Sequence, residues 1–523
     1  MDLQNMTLGI EFGSTRIKAV LIDENHNCVA TGSHAWENRL ENGIWTYTME
    51  DILSGLRSCY NDLNKAVCEK FGHPIRRLAA MGISGMMHGY LVFDKDGNQL
   101  APFRTWRNTI TAPASQALTE LFRFNIPQRW SIAHLYQAIL NGEDHVKDIA
   151  RLTTLSGHIH TLLTGTTAMG VGEASGMFPY DDTTGDFDAN RVAQFDELIR
   201  PYGFPWKLRD ILPTVLRAGE NAGVLTAEGA ALLDETGHLE AGIPMCPPEG
   251  DAGTGMVATG AVLPRTGNIS AGTSAFSMQV LEHPLKNYYP EIDVVATPSG
   301  KTVAMAHTNT CSSEIDAWVN LIADAGRAVG VEMDKSVLYP ALFRKALDGD
   351  PDCSGIISFN YFAGEPLTGT ETGRPMVLRL PNSAMTISNF MRSQLYGAVA
   401  TLKIGMELLK TEEQVESDTI LGHGGYFKTP GVGQQILADA LNVPITTMET
   451  AGEGGPWGMA LLAAYMCRKA PSETMEDYLL HRVFHSAKST CLNPDPAGVA
   501  GWESYISRYK ASLKAQKAAA DLV

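Results

Sequence analysis

The chain has 523 residues, of which 44% are hydrophobic and 19% charged, and its 41 Lys and Arg against 58 Asp and Glu give a formal net charge of −17. This composition excludes an intrinsically disordered chain, and the acidic balance argues against an extended nucleic-acid or anionic-membrane surface. The length predicts two to four domains, and the 50 glycines predict many turns or close approaches of the backbone.

The eight cysteines are scattered, without a Cys-x-x-Cys pair, so neither a zinc site nor a redox pair is predicted. Dispersed cysteines in a chain of this size are typical of a reduced, cytoplasmic protein. No apolar run approaches the ~20 residues that a membrane helix requires, and the start MDLQNMTLGIEFG lacks the features of a signal peptide. We therefore expect a soluble cytoplasmic protein.

The first half opens with a predicted β-meander. Residues 7–23 read TLGIEFGSTRIKAVLID, two short runs rich in β-branched residues around a Gly-Ser-Thr turn, and a third strand is predicted from Cys28. A helix over 49–71 follows. Residues 78–90, LAAMGISGMMHGY, then predict a buried strand that runs into a loop flanked by glycines.

A second hairpin of the same kind is predicted half a chain later, where residues 267–281 read GNISAGTSAFSMQVL. A separation of half the chain favours a duplicated domain, although two such hairpins also arise by chance. The remaining elements expected in the second half are helices at 312–328, 388–410, 433–441 and 459–467, strands at 419–425 and 443–448, a glycine loop at 452–458, and a helical tail from Lys510. Strands that alternate with helices predict an α/β architecture.

Four glycine-rich turns are candidate phosphate sites. They lie after predicted strands, at 13–15, 272–274, 422–425 and 452–458. No Gly-x-x-x-x-Gly-Lys-Ser/Thr motif occurs and no Gly-x-Gly-x-x-Gly follows the first strand, which argues against a P-loop or dinucleotide fold. Successive N–H groups and hydroxyls at a hairpin tip can bind an anion. Each turn alone is equally explained as an ordinary turn, but one hydroxyl-bearing hairpin in each half favours phosphate binding.

These motifs, in this order, resemble the FGGY family of carbohydrate kinases, within the actin-like ATPase superfamily. LGIEFGSTRIKAVLID is similar to the first phosphate loop of that family, GNISAGTSAF to the second, LGHGGYFKTPGVGQQILADALNVPI to the adenosine segment, and EGGPWGMALLAAY to the closing glycine loop and helix. EGDAGTGMVATG is similar to the segment that carries the catalytic base. SGMMHG, TWRN and YFAGEPLTGT are similar to motifs of the xylulokinases within the family.

The resemblance implies an α/β chain of two ribonuclease H-like (actin-like ATPase) domains, with a central mixed β-sheet in each and a cleft between them. It implies an N-terminal domain over 1–262 with the sugar site, the first phosphate loop and the base. A C-terminal domain over 263–500 would carry the second phosphate loop and the adenosine site, and 501–523 would form a helical tail. ATP and Mg²⁺ are the implied cofactors, and a small-molecule sugar is the implied partner, with no nucleic acid or membrane. A homodimer is common among similar proteins.

The resemblance also implies roles for individual residues. Asp251 would be the general base that takes the proton of the sugar hydroxyl; outside the family context, an Asp beside glycines is more often a turn residue. The sugar contacts implied are Met87, His88, Trp106 and Asp251. The ATP contacts implied are Gly13, Ser14, Thr15, Gly272, Thr273, Ser274, Gly424, Gly425 and Lys428. Glu11 would be a metal residue that acts through water.

Five positions depart from the family pattern. The family has Asp at Glu11, an amide at Ala252, and, in xylulokinases, Asp at Asn108, Arg at Ile110 and Gln at Met86. Since these changes fall on the sugar side and at the metal, the sequence predicts a sugar kinase but leaves the sugar open.

A ketopentose such as xylulose is the expected substrate, and ribulose, fuculose, erythritol and gluconate are the alternatives. His88 could also be an ordinary loop histidine, and Trp106 could be a core residue. The changed Trp106 loop and the missing amide at Ala252 also keep open a non-catalytic protein that binds sugar and ATP.

Overall fold

The computed structural model describes residues 3–448 and 454–522, and the chain divides into two compact units. The first unit comprises Met1–Val262, Val294–Val303 and Glu453–Ser486, and the second comprises Leu263–Asp293, Ala304–Gly452 and Ala487–Val523. The units are therefore interleaved along the sequence, because two segments of the second half belong to the first unit.

The strands and helices of residues 3–262 are β1 (Thr7–Phe12), β2 (Arg16–Ile22), β3 (Cys28–Ala35), β4 (Arg39–Glu41), β5 (Ile44–Thr46), α1 (Met49–Phe71), β6 (Ala80–Gly85), β7 (Leu91–Phe93), α2 (Ala112–Phe122), α3 (Ser131–Leu140), β8 (Arg151–Thr153), α4 (Leu155–Thr164), β9 (Ala168–Gly170), α5 (Val171–Ala174), β10 (Tyr180–Asp181), β11 (Asp186–Phe187), α6 (Ala189–Ile199), α7 (Leu208–Ile211), β12 (Thr214–Leu216), α8 (Ala227–Leu233), β13 (Glu249–Gly250) and α9 (Asp251–Thr259).

The elements that follow are β14 (Thr266–Ala271), β15 (Ala275–Val280), β16 (Ile292–Ala296), β17 (Thr302–Thr308), α10 (Ser313–Ala328), α11 (Lys335–Ala346), β18 (Ile357–Asn360), β19 (Pro375–Leu378), α12 (Ile387–Glu412), β20 (Thr419–His423), α13 (Val432–Leu441), β21 (Ile445–Met448), α14 (Gly454–Arg468), α15 (Met475–Tyr478), β22 (Ser489–Leu492) and α16 (Pro496–Ala520). Of these, α14 and α15 belong to the first unit.

The central sheet of the first unit has the strand order β13-β6-β1-β2-β3. The hairpin β1–β2 is antiparallel, whereas β6 runs parallel to β1 and β13 runs parallel to β6. Helix α14 packs on this sheet so closely that a β-carbon on Gly9 of β1 would collide with the backbone of Pro456 and Ala460. This contact between the first strand and residue 456 shows why the glycine segment after residue 453 is part of the first unit.

The sheet of the second unit repeats this arrangement. Its order is β16-β17-β15-β14-β20-β21-β22, with β14–β15 antiparallel and with β20 and β21 parallel to β14 and to each other. In both sheets, therefore, the first strand of an antiparallel hairpin has a parallel strand as its other neighbour, and a second parallel strand lies next to that one. The predicted pair of hairpins belongs to two sheets of the same topology, as a duplicated domain requires.

Both units bury apolar residues on their central sheets. The core of the first unit includes Leu8, Ile10, Leu56 and Ile83. In the second unit, Trp502, Tyr505 and Tyr509 of α16 are fully buried in the core. The predicted start of a C-terminal tail at residue 501 therefore falls inside a helix that is part of this core.

Candidate active site

The predicted base begins a helix at the end of the first unit's sheet. Asp251 is the first residue of α9 and follows β13, whose Gly250 pairs in parallel with Gly85 at the end of β6. The loop after β6 and the start of α9 therefore lie together, because parallel strands end at the same edge of a sheet. The Met87 N–H donates to Asp251 Oδ1 at 3.3 Å, and the Ala252 N–H donates to the same oxygen at 3.0 Å.

The carboxyl of Asp251 has the properties of a base. The residue is exposed to solvent, yet the surrounding protein removes enough hydration to raise the pKa of its carboxyl from 3.8 to about 6. The amide hydrogen bonds from Met87 and Ala252 lower the pKa and partly oppose this effect. At neutral pH, Asp251 is therefore ionised and still more basic than an ordinary aspartate.

His88 lies beside the base in the loop after β6. It is 6% exposed, stacks on Trp130 with ring centroids 6.1 Å apart, and has a positive φ of 71°. Its Nδ1 is 2.9 Å from the carbonyl oxygen of Gly176. Because a carbonyl can only accept, Nδ1 carries the proton of the ring. Burial, with the charge of Arg129 as a smaller cause, lowers the pKa of His88 to about 3, so the ring is neutral and Nε2 is a hydrogen-bond acceptor.

Two glycines make this close packing possible. A β-carbon on Gly176 would lie 2.8 Å from His88 Nδ1, and a β-carbon on Gly250 would collide with the Met87 side chain. The structure thus brings three of the predicted sugar-site residues, Asp251, Met87 and His88, into one cluster.

Trp106 lies in a loop and is 38% exposed, so it is not a core residue. The neighbouring Asn108 is 1% exposed and is held by backbone groups. Its Oδ1 accepts the Trp45 N–H at 2.9 Å, while its Nδ2 donates to the carbonyls of Trp45 and Thr105 at 2.8 and 2.9 Å. An aspartate could not donate to these carbonyls, which explains the amide at this position.

The structure also shows where two further departures from the family pattern lie. Met86 is 2% exposed and packs in the core of the first unit, so its side chain belongs to that core. Ile110 is 44% exposed. Of the departures on the sugar side, only Ala252 lies directly beside Asp251.

Glu11 lies on β1 opposite Lys18 of β2. Burial, together with the negative charge of Asp251, raises the pKa of Glu11 to about 8, and the Lys18 ammonium and the Thr254 hydroxyl lower it. Its Oε2 is buried and accepts no hydrogen bond from the described residues. A β-carbon on Gly455 would collide with this carboxyl, so the glycine segment at the start of α14 leaves room for Glu11.

Two buried carboxyls that no motif predicted lie behind Asp251. Glu249 accepts the N–H groups of Gly172 and Glu173 at 3.3 and 3.0 Å, and burial raises its pKa to about 8. Burial also raises the pKa of Glu173, and the Thr154 hydroxyl lowers it. The position of Glu249 two residues before Asp251 is the only signal in the sequence; Glu173 has none.

The predicted first phosphate loop, Gly13–Thr15, joins β1 to β2 with the side chains of Ser14 and Thr15 exposed. Its carbonyls all accept hydrogen bonds: Gly13 O from Trp36 Nε1 at 2.7 Å, Ser14 O from Tyr47 Oη at 2.5 Å, and Thr15 O from the Trp36 N–H at 3.2 Å. Neither aromatic residue was predicted, because no local pattern marks it.

The predicted second phosphate loop, Gly272–Ser274, joins β14 to β15, with Thr273 exposed. Gly272 O accepts the Ser312 N–H at 3.0 Å and its hydroxyl at 2.6 Å, and Thr273 O accepts the Cys311 N–H at 2.7 Å. The predicted adenosine residues lie beside this loop in the second unit. Gly424 has φ of +100°, and a β-carbon there would lie 2.5 Å from Ala271 O, while Gly425 and Lys428 are exposed. The predicted ATP contacts therefore form one group in each unit.

No helix among the described residues is long and apolar enough to cross a membrane. The eight cysteines are free thiols. Across residues 3–448 and 454–522 no three His, Cys, Asp or Glu side chains are grouped so that they could hold a metal ion.

Comparison with known proteins identifies the family. The N-terminal domain of the FGGY family of carbohydrate kinases matches residues 6–258, and the C-terminal domain of that family matches residues 267–467. The chain belongs to the FGGY family of carbohydrate kinases, which makes it a phosphotransferase with ATP as its phosphoryl donor. The predicted family, enzyme class and two-domain actin-like fold are confirmed.

Relatives and solved structures are similar along the whole chain. The xylulose kinase of Haemophilus influenzae is 22% identical, over 97% of this chain and 99% of that protein. The structure of a ligand-bound xylulose kinase from Lactobacillus acidophilus has a TM-score of 0.79 at 16% identity and covers 98% of both chains. A gluconate kinase from the same organism has a TM-score of 0.78 at 16% identity and covers 99% of both.

Proposed function

We propose that this kinase transfers the γ-phosphoryl group of ATP to a hydroxyl of a ketopentose such as xylulose, with Asp251 as general base. The observation that supports the proposal most strongly is the raised pKa of the Asp251 carboxyl. With a pKa of about 6 it is about 90% ionised at pH 7 and can still take a proton from a hydroxyl. Both amide hydrogen bonds go to Oδ1, so Oδ2 is the oxygen placed to accept that proton.

The residues around the base would hold the sugar. The neutral ring of His88 offers Nε2 as an acceptor for a sugar hydroxyl, and the Met87 side chain supplies an apolar wall next to Gly250. Trp106, exposed in its loop, is proposed as a further sugar contact. The name of the Haemophilus relative supports xylulose, and the gluconate kinase among the similar structures keeps other sugars as the alternative.

The two phosphate loops would bind ATP through backbone N–H groups and hydroxyls. Gly13, Ser14 and Thr15 would contact the β- and γ-phosphates, and Gly272, Thr273 and Ser274 the γ-phosphate. Gly424, Gly425 and Lys428 would lie along the adenosine. These roles would place the sugar site and the base in the first unit and adenosine binding in the second unit. Dimerisation and a cytoplasmic location stay predictions.

Magnesium fits the residues present at Glu11. The buried Oε2 of that carboxyl has no hydrogen-bond partner among the described residues, so it is free to accept from a metal-bound water. Its pKa of about 8 leaves the carboxyl mostly protonated at pH 7, and the charge of the ion would lower that pKa. With no cluster of three ligands in the described chain, the ion would be held mainly by the phosphates. When bound, Mg²⁺ neutralises phosphate charge.

Removal of the base tests the proposal. Asp251→Ala and the isosteric Asp251→Asn should lower sugar-dependent ADP formation by at least about 100-fold, because general-base catalysis contributes about 10²–10⁴-fold, and they should leave the Kd for ATP largely unchanged. Asp94→Asn is a matched control, since Asp94 is a partly exposed turn residue that accepts the Asp96 and Asn98 N–H groups.

Sugar-dependent activity retained by Asp251→Asn would contradict the role of Asp251 as the base.

A panel of xylulose, ribulose, fuculose, erythritol and gluconate, with ADP release as the readout, tests which substrate the kinase prefers. The highest kcat/KM for a sugar other than a ketopentose would overturn that part of the proposal. ATP hydrolysis that no sugar accelerates would instead indicate an ATPase without sugar kinase activity, and ATP binding without any ADP release would indicate a non-catalytic binding protein.

A further inference from the structure

Two aromatic residues donate hydrogen bonds to the carbonyls of the predicted first phosphate loop, Gly13–Thr15. Trp36 donates two hydrogen bonds, from Nε1 and from its backbone N–H, and Tyr47 donates one from its hydroxyl. Together they bind the carbonyls of all three loop residues, Gly13, Ser14 and Thr15. These donors lie at the end of β3 and just before α1, outside any motif that marks a phosphate site.

The two donors form one rigid group. Their rings stack with centroids 4.1 Å apart and an interplanar angle of 25°. Trp36 is 8% exposed and Tyr47 is 2% exposed. Tyr47 is further fixed through Trp45, whose backbone N–H and carbonyl are both bound by the Asn108 amide. Neither ring can therefore move without breaking buried packing or hydrogen bonds.

In the second unit, carbonyls of the predicted second phosphate loop are also bound by hydrogen bonds, but the donors are different. There the carbonyls of Gly272 and Thr273 accept from Ser312 and Cys311, which are mainly backbone N–H donors. Both hairpin tips thus have their carbonyls bound by the protein behind them. The same arrangement, reached with unrelated donors in two sheets of the same topology, points to a shared requirement of the two loops.

That requirement is electrostatic. A carbonyl oxygen carries partial negative charge and repels a phosphate, whereas an N–H group attracts it. A peptide unit at a hairpin tip can rotate so that either its carbonyl or its N–H faces the phosphate. A hydrogen bond from the protein to the carbonyl favours the orientation in which the N–H faces the phosphate. Bound carbonyls therefore prepare the loop for an anion before ATP arrives.

We propose that Tyr47 and Trp36 are positioning residues of the kinase, which keep the carbonyls of Gly13, Ser14 and Thr15 turned away from the β- and γ-phosphates of ATP. The inference rests on the proposed function, in which this loop contacts those phosphates. Neither aromatic residue touches the substrate in this role, since both act through the loop carbonyls that they bind.

Tyr47→Phe tests this proposal because it removes one hydroxyl and keeps the ring that stacks on Trp36. We expect the Kd for ATP, measured by equilibrium titration with Mg²⁺, to rise about 5-fold, the effect of one lost hydrogen bond. The Kd for AMP, which lacks the β- and γ-phosphates, should not change, and neither should KM for the sugar. Trp36→Phe, which removes the bond to Gly13 and keeps the backbone bond to Thr15, should show the same pattern.

Tyr396→Phe is the matched control. Its hydroxyl also donates to a backbone carbonyl, that of Pro351 at 3.0 Å, and accepts from Arg392 Nε at 3.1 Å, but in the second unit. This variant should lose comparable thermal stability and keep both Kd values. A Kd for ATP within twofold of the parent chain in Tyr47→Phe would overturn the proposal, as would an equal loss of AMP affinity, which indicates a merely structural role. If the parent chain binds ATP but phosphorylates no sugar, the proposed function fails while this comparison of ATP with AMP still decides the role of Tyr47.

Discussion

The acid side of the pH dependence tests the environment of Asp251. The protein raises the pKa of this carboxyl from 3.8 to about 6, and a general base works only when it is ionised. Because the pKa is raised, the active form is present above about pH 6 and is lost as the pH falls through 6. With this pKa, the ionised fraction falls about tenfold between pH 7 and pH 5, whereas a pKa of 3.8 would cost less than about 10%.

The assay is kcat/KM for the sugar at saturating ATP, from ADP release between pH 5 and 7.5 at constant ionic strength. Circular dichroism at each pH shows where the fold is intact. Glu173→Gln is the matched control, because it removes a neighbouring buried carboxyl without touching Asp251. Since lost hydration and not the charge of Glu173 causes the shift, the midpoint near pH 6 should be unchanged in this variant.

Two results would refute this reasoning. A rate that stays flat down to pH 5 while the fold is intact would show that the pKa of Asp251 is not raised, or that another group is the base. A midpoint that falls in Glu173→Gln would show that a neighbouring charge, and not lost hydration, sets the pKa.

Two substitutions test the loop and the metal side. Asn108→Asp should lower the free energy of unfolding by about 1–3 kcal/mol, because the carbonyls of Trp45 and Thr105 lose their buried donor; an unchanged urea midpoint would contradict this. Gly455→Ala should lower kcat about 100-fold, because the new methyl would collide with the Glu11 carboxyl and displace it. The control is Gly255→Ala, whose methyl would meet nothing within 4 Å; equal activity of the two variants would contradict the role of Glu11.

Local elements could be predicted from the sequence where their signals are local. Helix α1 has the predicted bounds because Thr48 caps its first turn and Gly72 ends it in a left-handed conformation. The β1–β2 and β14–β15 hairpins follow from β-branched runs around glycine turns. The membership of α14 in the first unit could not be predicted, because it depends on a contact between Gly9 and residues far along the chain.

In the candidate site too, residues marked by local motifs could be predicted, and residues that act through distant contacts could not. The family motifs named Asp251, Met87 and His88, and the structure places them together. The roles of Trp36 and Tyr47 depend on hydrogen bonds to a loop that is distant in sequence, which no spacing rule encodes.

The buried carboxyl of Glu249 also constrains how this family member can vary. A β-carbon on Gly170 would collide with Oε1 of Glu249, and one on Gly172 would lie 2.5 Å from Oε2. Glutamate at 249 and a side chain at 170 or 172 therefore exclude each other. In descendants of this sequence, a chain that keeps the glutamate must keep both glycines. A shorter residue at 249 would make room at position 172 alone, because a β-carbon at 170 would also lie 2.8 Å from the backbone oxygen of Pro248.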